Sequence, residues 1–157
     1  MGYTVNSIII KKEMNELFEI INDVRNWPEH NYQDVKILEK EELLDGRRKI
    51  VFQVTGNKEE EPVEIWTSQR IIDVTNMCAR GVRLEPMYPF RHWILDVVLS
   101  VEKEGTKMTW IQDFSMDKNS GFTEEAVEEM INKGSKKELQ IFKEKIESGI
   151  VSSKTEL

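Results

Sequence analysis

The stretch TEEAVEEMINKGSKKELQIFKEKIE, residues 123–147, decides the fold. Thr123 is a cap residue, and Glu124 and Glu125 follow in the first turn, where acids complement the helix dipole. Val127, Met130, Ile131, Gly134, Ile141 and Ile146 then form a broad stripe that Leu139 and Phe142 widen, which predicts one amphipathic helix to about residue 147. A helix with one apolar face needs a layer to cover it. The rest of the chain supplies a sheet. Residues 3–10, with Val5, Ile8, Ile9 and Ile10, read as a first strand. Met14, Leu17, Phe18, Ile21 and Val24 recur at helical spacing, and Asn26-Trp27-Pro28-Glu29 suits a further helical turn with Asn26 as its cap. Six strand-like runs follow, at 35–44, 49–54, 62–74, 78–87, 93–103 and 106–116, divided by turn signals such as Asp45-Gly46 and Glu104-Gly105. Their connections are too short for parallel crossovers. The expectation is an α+β fold: about seven antiparallel strands, curved around a long C-terminal helix, with two short helices after the first strand.

Composition narrows the chemistry. The 157 residues fit a single domain, with an ordered core over about 3–148 and a short polar tail. Twenty-two Lys and Arg against 29 Asp and Glu give a net charge of −7, which disfavours nucleic acid and an anionic membrane surface as partners. One cysteine, Cys78, forms no internal disulfide and has no histidine beside it in the sequence to activate it. Two histidines, His30 and His92, are too few for a zinc site of usual spacing, so no metal is expected. No apolar run exceeds three or four residues and the start does not read as a signal peptide, so a cytoplasmic location is expected.

The polar residues of two strands are more informative than the apolar ones. Strand alternation puts Glu64, Trp66, Ser68 and Arg70 on one face, and Met108, Trp110, Gln112, Phe114 and Met116 on one face. The aromatic rings bury the most surface and should turn inward, taking Ser68, Arg70 and Gln112 with them. An inward guanidinium needs partners. Either Glu64 or Glu85 pairs with Arg70, or this face lines a polar-studded cavity.

Asn26-Trp27-Pro28-Glu29, Ile65-Trp66-Thr67-Ser68-Gln69-Arg70, Pro89-Phe90 and the run from Gly105 to Met116, in this order, resemble the bacterial polyketide aromatase/cyclases from about residue 5 to about 147. The resemblance implies the helix-grip fold of START-like and Bet v 1-like proteins. It also implies an enzyme without cofactor that takes a linear poly-β-ketone, tethered to the acyl carrier protein of a type II polyketide synthase. The implied reaction is an intramolecular aldol closure followed by dehydration to an aromatic ring. Arg70 matches the family's central arginine and Tyr32 its acid/base tyrosine. Ser68, Gln112 and Arg83 match polar pocket residues, and Trp27, Trp66, Phe90 and Trp110 match aromatic walls. His92 has no family counterpart and reads as structural. Arg25, Lys36 and Arg91 are the candidate basic residues for docking an acidic carrier, and the oligomeric state, monomer or homodimer, is open. A non-catalytic carrier or sensor of an apolar ring compound or lipid is the alternative, since one fold hosts both.

Overall fold

The structure is a computed structural model and describes residues 1–29, 34–56 and 63–151. Its elements are β1 (Gly2–Ile10), α1 (Met14–Asn22), a 3₁₀ turn (Val24–Glu29), β2 (Asp34–Glu42), β3 (Arg48–Thr55), β4 (Ile65–Asp73), β5 (Cys78–Glu85), β6 (Phe90–Glu102), β7 (Gly105–Met116) and α2 (Glu124–Glu147). The seven strands form one antiparallel sheet in the order β1-β7-β6-β5-β4-β3-β2. This is the helix-grip architecture that the element order predicts. Among the described residues no helix is long and apolar enough to cross a membrane.

The two sheet edges are protected differently. β1 is covered by α2, which runs alongside it and is tied to it by polar bonds along its whole length. Glu124 pairs with the Met1 amino group, Glu128 accepts from the Tyr3 amide at 3.3 Å, and Asn132 accepts from the Asn6 amide at 3.0 Å. Further along, the Lys143 ammonium donates to the Ile9 carbonyl at 2.6 Å and Glu147 accepts from the Lys11 amide at 2.8 Å. A helix of 24 residues is about 36 Å long and a strand of nine about 30 Å, so the two are matched in length. At the other edge, Lys40, Glu41 and Glu42 of β2 are exposed charges that oppose edge-to-edge pairing.

Several expectations are corrected. Asn26 lies inside the 3₁₀ turn instead of capping it: it is 1% exposed and donates to the Ile20 carbonyl at 3.3 Å. The capping acceptor is Asp23, which takes the Arg25 amide at 3.1 Å. The buried face of α2 is Val127, Ser135, Leu139, Phe142 and Ile146; Met130 is 63% exposed, and Gly134 is on the solvent side with open space around it. The spacing of four between 127, 131, 135 and 139 rotates the face away from 130 and 134. The core also continues past 148. Gly149, at φ +80°, turns the chain and the buried side chain of Val151 packs into the core.

Two glycines, Gly134 and Gly105, give opposite expectations. Gly134→Ala should raise stability by about 0.5–1 kcal/mol, because it removes only a helix-interior glycine. Gly105→Ala should lower it by about 1–3 kcal/mol, because φ is +150° there and a Cβ would strike the Ile10 carbonyl. Urea midpoints at constant m check both signs.

Candidate functional site

Two apolar clusters hold the sheet and helices together. The larger joins α1, the inner sheet face and the C-terminal part of α2; the smaller joins Phe114, Met116 and Val127 with Phe90, Trp93 and Ile131. A cavity of about 100 Å³ is lined mainly by residues of the larger cluster, with Trp93 from the smaller one on its wall. All four tryptophans, Trp27, Trp66, Trp93 and Trp110, line it.

Alternation in β4 and β7 turns the expected side chains inward. Ser68, Arg70 and Gln112 are 6%, 4% and 5% exposed and all line the cavity. Neither glutamate weighed from the sequence lies on the inner layer: Glu64 and Glu85 are exposed. The Arg70 Nε donates instead to Asn22 Oδ1 at 2.8 Å, and the guanidinium carbon is 5.4 Å from the centroid of the Trp27 ring. Asn22 is the last residue of α1, held by its own amide donating to the Phe18 carbonyl at 2.9 Å. Trp27 is braced edge-on by Phe52, with centroids 5.2 Å apart, and Trp110 by Phe142 at 5.7 Å.

Gln112 is fixed from both ends. The Trp93 indole N–H donates to its carbonyl oxygen at 3.2 Å, and its amide donates to Ser135 Oγ at 2.8 Å. Glu138, one turn further along α2, puts a carboxylate on the same cavity wall.

Arg83 and Phe90 stand beside the cavity, outside its lining. The Arg83 guanidinium lies over the Trp66 ring at 5.2 Å and the Phe90 ring at 5.7 Å, and its Nε donates to the Pro86 carbonyl at 2.7 Å. Burial pushes its pKa below the usual arginine value, with Glu64 acting in the opposite sense. Phe90 also meets Phe114 edge-on at 6.1 Å. Tyr32 and His30 lie outside the described residues.

His92 faces away from the cavity. Its ring nitrogens are 2.9 Å from Asp113 Oδ1 and 2.8 Å from Ser115 Oγ, a hydroxyl that is fully buried and also accepts from Arg91 Nε at 3.3 Å. Burial raises the Cys78 thiol pKa, with Asp73 and Asp96 adding to the shift, the opposite of an activated thiolate. Arg25 is in a bidentate pair with Asp23 at 2.7 Å, while Lys36 on β2 and Arg91 on β6 have three strands between them.

The sequence reading missed Asn22, Trp93, Ser135 and Glu138. Asn22 and Ser135 carried a signal, since each is a polar residue four positions from an apolar one, Phe18 and Ile131, on a helix stripe. Trp93 was hidden by a β-bulge. Phe90 pairs with Met116 and His92 with Ser115, so Arg91 is the extra residue, and both Phe90 and Trp93 turn inward although they are three apart.

A curved sheet gripping a long helix around an aromatic-walled cavity with a buried arginine defines a helix-grip protein with an internal cavity. No family model matches the chain. A protein of Streptomyces halstedii provisionally named a polyketide cyclase is 33% identical over 113 residues, 70% of this chain and 98% of that one. A second, of Streptomyces cyaneus and under the same name, is 27% identical over 151 residues, 93% of this chain and 94% of that one. Among solved structures, the Zhui aromatase/cyclase of Streptomyces sp. R1128 superposes with a TM-score of 0.73 at 16% identity, covering 88% of this chain and 89% of that one. A START superfamily protein of Mycobacterium smegmatis gives 0.77 at 8% identity, covering 94% and 99%. The chain belongs to the polyketide cyclase family.

Ser135→Ala would remove the acceptor of the Gln112 amide in a buried layer. A loss of about 1–3 kcal/mol is expected in urea unfolding. A change within 0.3 kcal/mol would show that Gln112 is held by other means.

Proposed function

We propose that this protein is a polyketide cyclase that folds a linear poly-β-ketone in the cavity and directs one intramolecular aldol closure, followed by loss of water and aromatisation. The observation that carries this reading is the buried Arg70 guanidinium, presented into a cavity walled by four tryptophans. A carrier of apolar rings gains nothing from a desolvated cation, whereas a carbonyl under attack gains a donor for its developing oxyanion.

The reaction needs three supports. The first is shape: the cavity of about 100 Å³ is smaller than the roughly 300–1,000 Å³ of usual ligand pockets, so it would enclose only the reacting segment of the chain. Bringing two carbons of one chain into contact itself supplies much of the barrier reduction. The second is charge: Arg70 Nη groups donate to the oxygen of the attacked carbonyl as it becomes an alkoxide, and Ser68 and Gln112 hold neighbouring carbonyls. The third is a proton route. A methylene between two carbonyls loses a proton, its carbon attacks, the alkoxide gains a proton, and water then leaves as the ring becomes conjugated. Glu138 at the cavity wall and Tyr32, as the resemblance implies, are the groups assigned to these transfers. No cofactor is required by these steps. The substrate is assigned as a carrier-bound intermediate of a type II synthase.

The test is a reconstituted minimal polyketide synthase with and without this protein. Arg70→Ala and Arg70→Lys should keep the wild-type circular dichroism but reduce the selected ring product about 100-fold or more relative to products of spontaneous closure. An unchanged product distribution in Arg70→Ala would falsify the mechanism.

A further inference from the structure

We infer that Gly81 is a specificity-determining residue of this site: its missing side chain leaves the space beside Arg70 into which the reacting segment of the substrate fits. The inference rests on the cyclase reading above.

Gly81 lies in the middle of β5, paired with Arg70 of β4 on one side and with Leu95 of β6 on the other. Directly paired residues point to the same face of a sheet, and Arg70 and Leu95 both line the cavity, as does Gly81 itself. A side chain at 81 would therefore stand in the cavity between the guanidinium and Leu95.

The backbone does not ask for glycine here. Gly46, Gly105, Gly121 and Gly149 have positive φ, and Gly81 is not among them. A Cβ built on Gly81 would meet only the carbonyl oxygens of Gln69 and Leu95, both at 3.9 Å, which is ordinary contact. A glycine in a strand interior also weakens the strand, since it packs nothing and has the most backbone freedom to lose. A residue that is unfavourable for the fold and unneeded by its geometry is explained by the room it leaves. In a cavity of about 100 Å³ that room is a large share of the whole.

Alanine and then valine at this position should therefore improve the strand while closing the site. Three measurements on the full chain test this. Thermal unfolding of Gly81→Ala should show Tm unchanged or raised by about 1–4 °C. Titration with 2-naphthol, followed by quenching of the cavity tryptophans, should show binding by the wild type and binding about 10-fold or more weaker in Gly81→Val. In the reconstituted synthase, Gly81→Val should lose the selected ring product about 10-fold or more relative to spontaneous-closure products, with Gly81→Ala intermediate. Variants that match an active, ring-binding wild type would overturn this inference alone. So would a Tm falling by several degrees in Gly81→Ala, which would make the glycine structural. A wild type that binds no ring and redirects no product would overturn the cyclase reading and this inference together.

Discussion

A guanidinium that is 4% exposed is the constraint around which this molecule is built. Removing an unpaired cation from water costs several kcal/mol even after relaxation, so the fold has to return hydrogen bonds and polarisable surface to Arg70. It does so with short-range pieces. α1 ends on Asn22, whose amide oxygen meets the Arg70 Nε, and the 3₁₀ turn that follows brings Trp27 to the guanidinium face. Both partners depend on where α1 stops. Leu17, Phe18, Ile20 and Ile21 fix that helix in the core, and Asp23 breaks it by capping the next turn. The loop after β1 therefore does more than connect strands: it builds one wall of the site.

The second requirement is that α2 grips the sheet without filling it. Its polar ties run to β1, at the sheet edge, through Glu124, Glu128, Asn132, Lys143 and Glu147. Its apolar contacts are concentrated at the ends, in the cluster of Val127 and Ile131 and in that of Leu139, Phe142 and Ile146. Ser135 falls between them, and with Gln112 and Trp93 it forms a buried polar layer. Such a layer is stable only when every member is paired, which makes it directional in a way that an apolar contact is not. Gln112 thus keeps one orientation facing the cavity.

The fold was legible because periodicity changes cleanly along the chain, from two in the strands to near 3.6 in α2. The inward set on β4 and β7 was legible for the same reason: alternation through Trp66, Ser68 and Arg70, and through Trp110 and Gln112, survives in the structure without interruption. What could not be read depended on other strands or on irregular backbone. One partner of Arg70, Asn22, is 48 residues away, on a helix, and no local pattern connects the two. The bulge at Arg91 changes which side chains of β6 face inward, and a bulge has no fixed sequence mark. The resemblance implies a pocket position for Arg83, and alternation turns it toward the inner side. Its guanidinium is held at the rim by Trp66, Phe90 and the Pro86 carbonyl, a set that only the tertiary structure assembles.

For the proposed reaction, the same constraint would let a site with so little reactive chemistry be selective. A poly-β-ketone is neutral when it enters, and negative charge appears only as an enolate or alkoxide forms. A buried cation interacts weakly with a neutral carbonyl and strongly with an oxyanion, so in the proposed reaction Arg70 would favour the transition state over the bound substrate. Solvent would erase this difference, since water stabilises both the cation and the oxyanion by reorienting around them. The tryptophan walls matter for that reason as well as for shape: they keep the guanidinium 4% exposed while Asn22 accepts from its Nε. Under the proposed mechanism the stabilisation would be delivered at one fixed point of the cavity, and the carbonyl that reaches that point would be the one attacked. Regiochemistry would then be set by how the walls place the chain relative to Arg70, and not by the reacting groups.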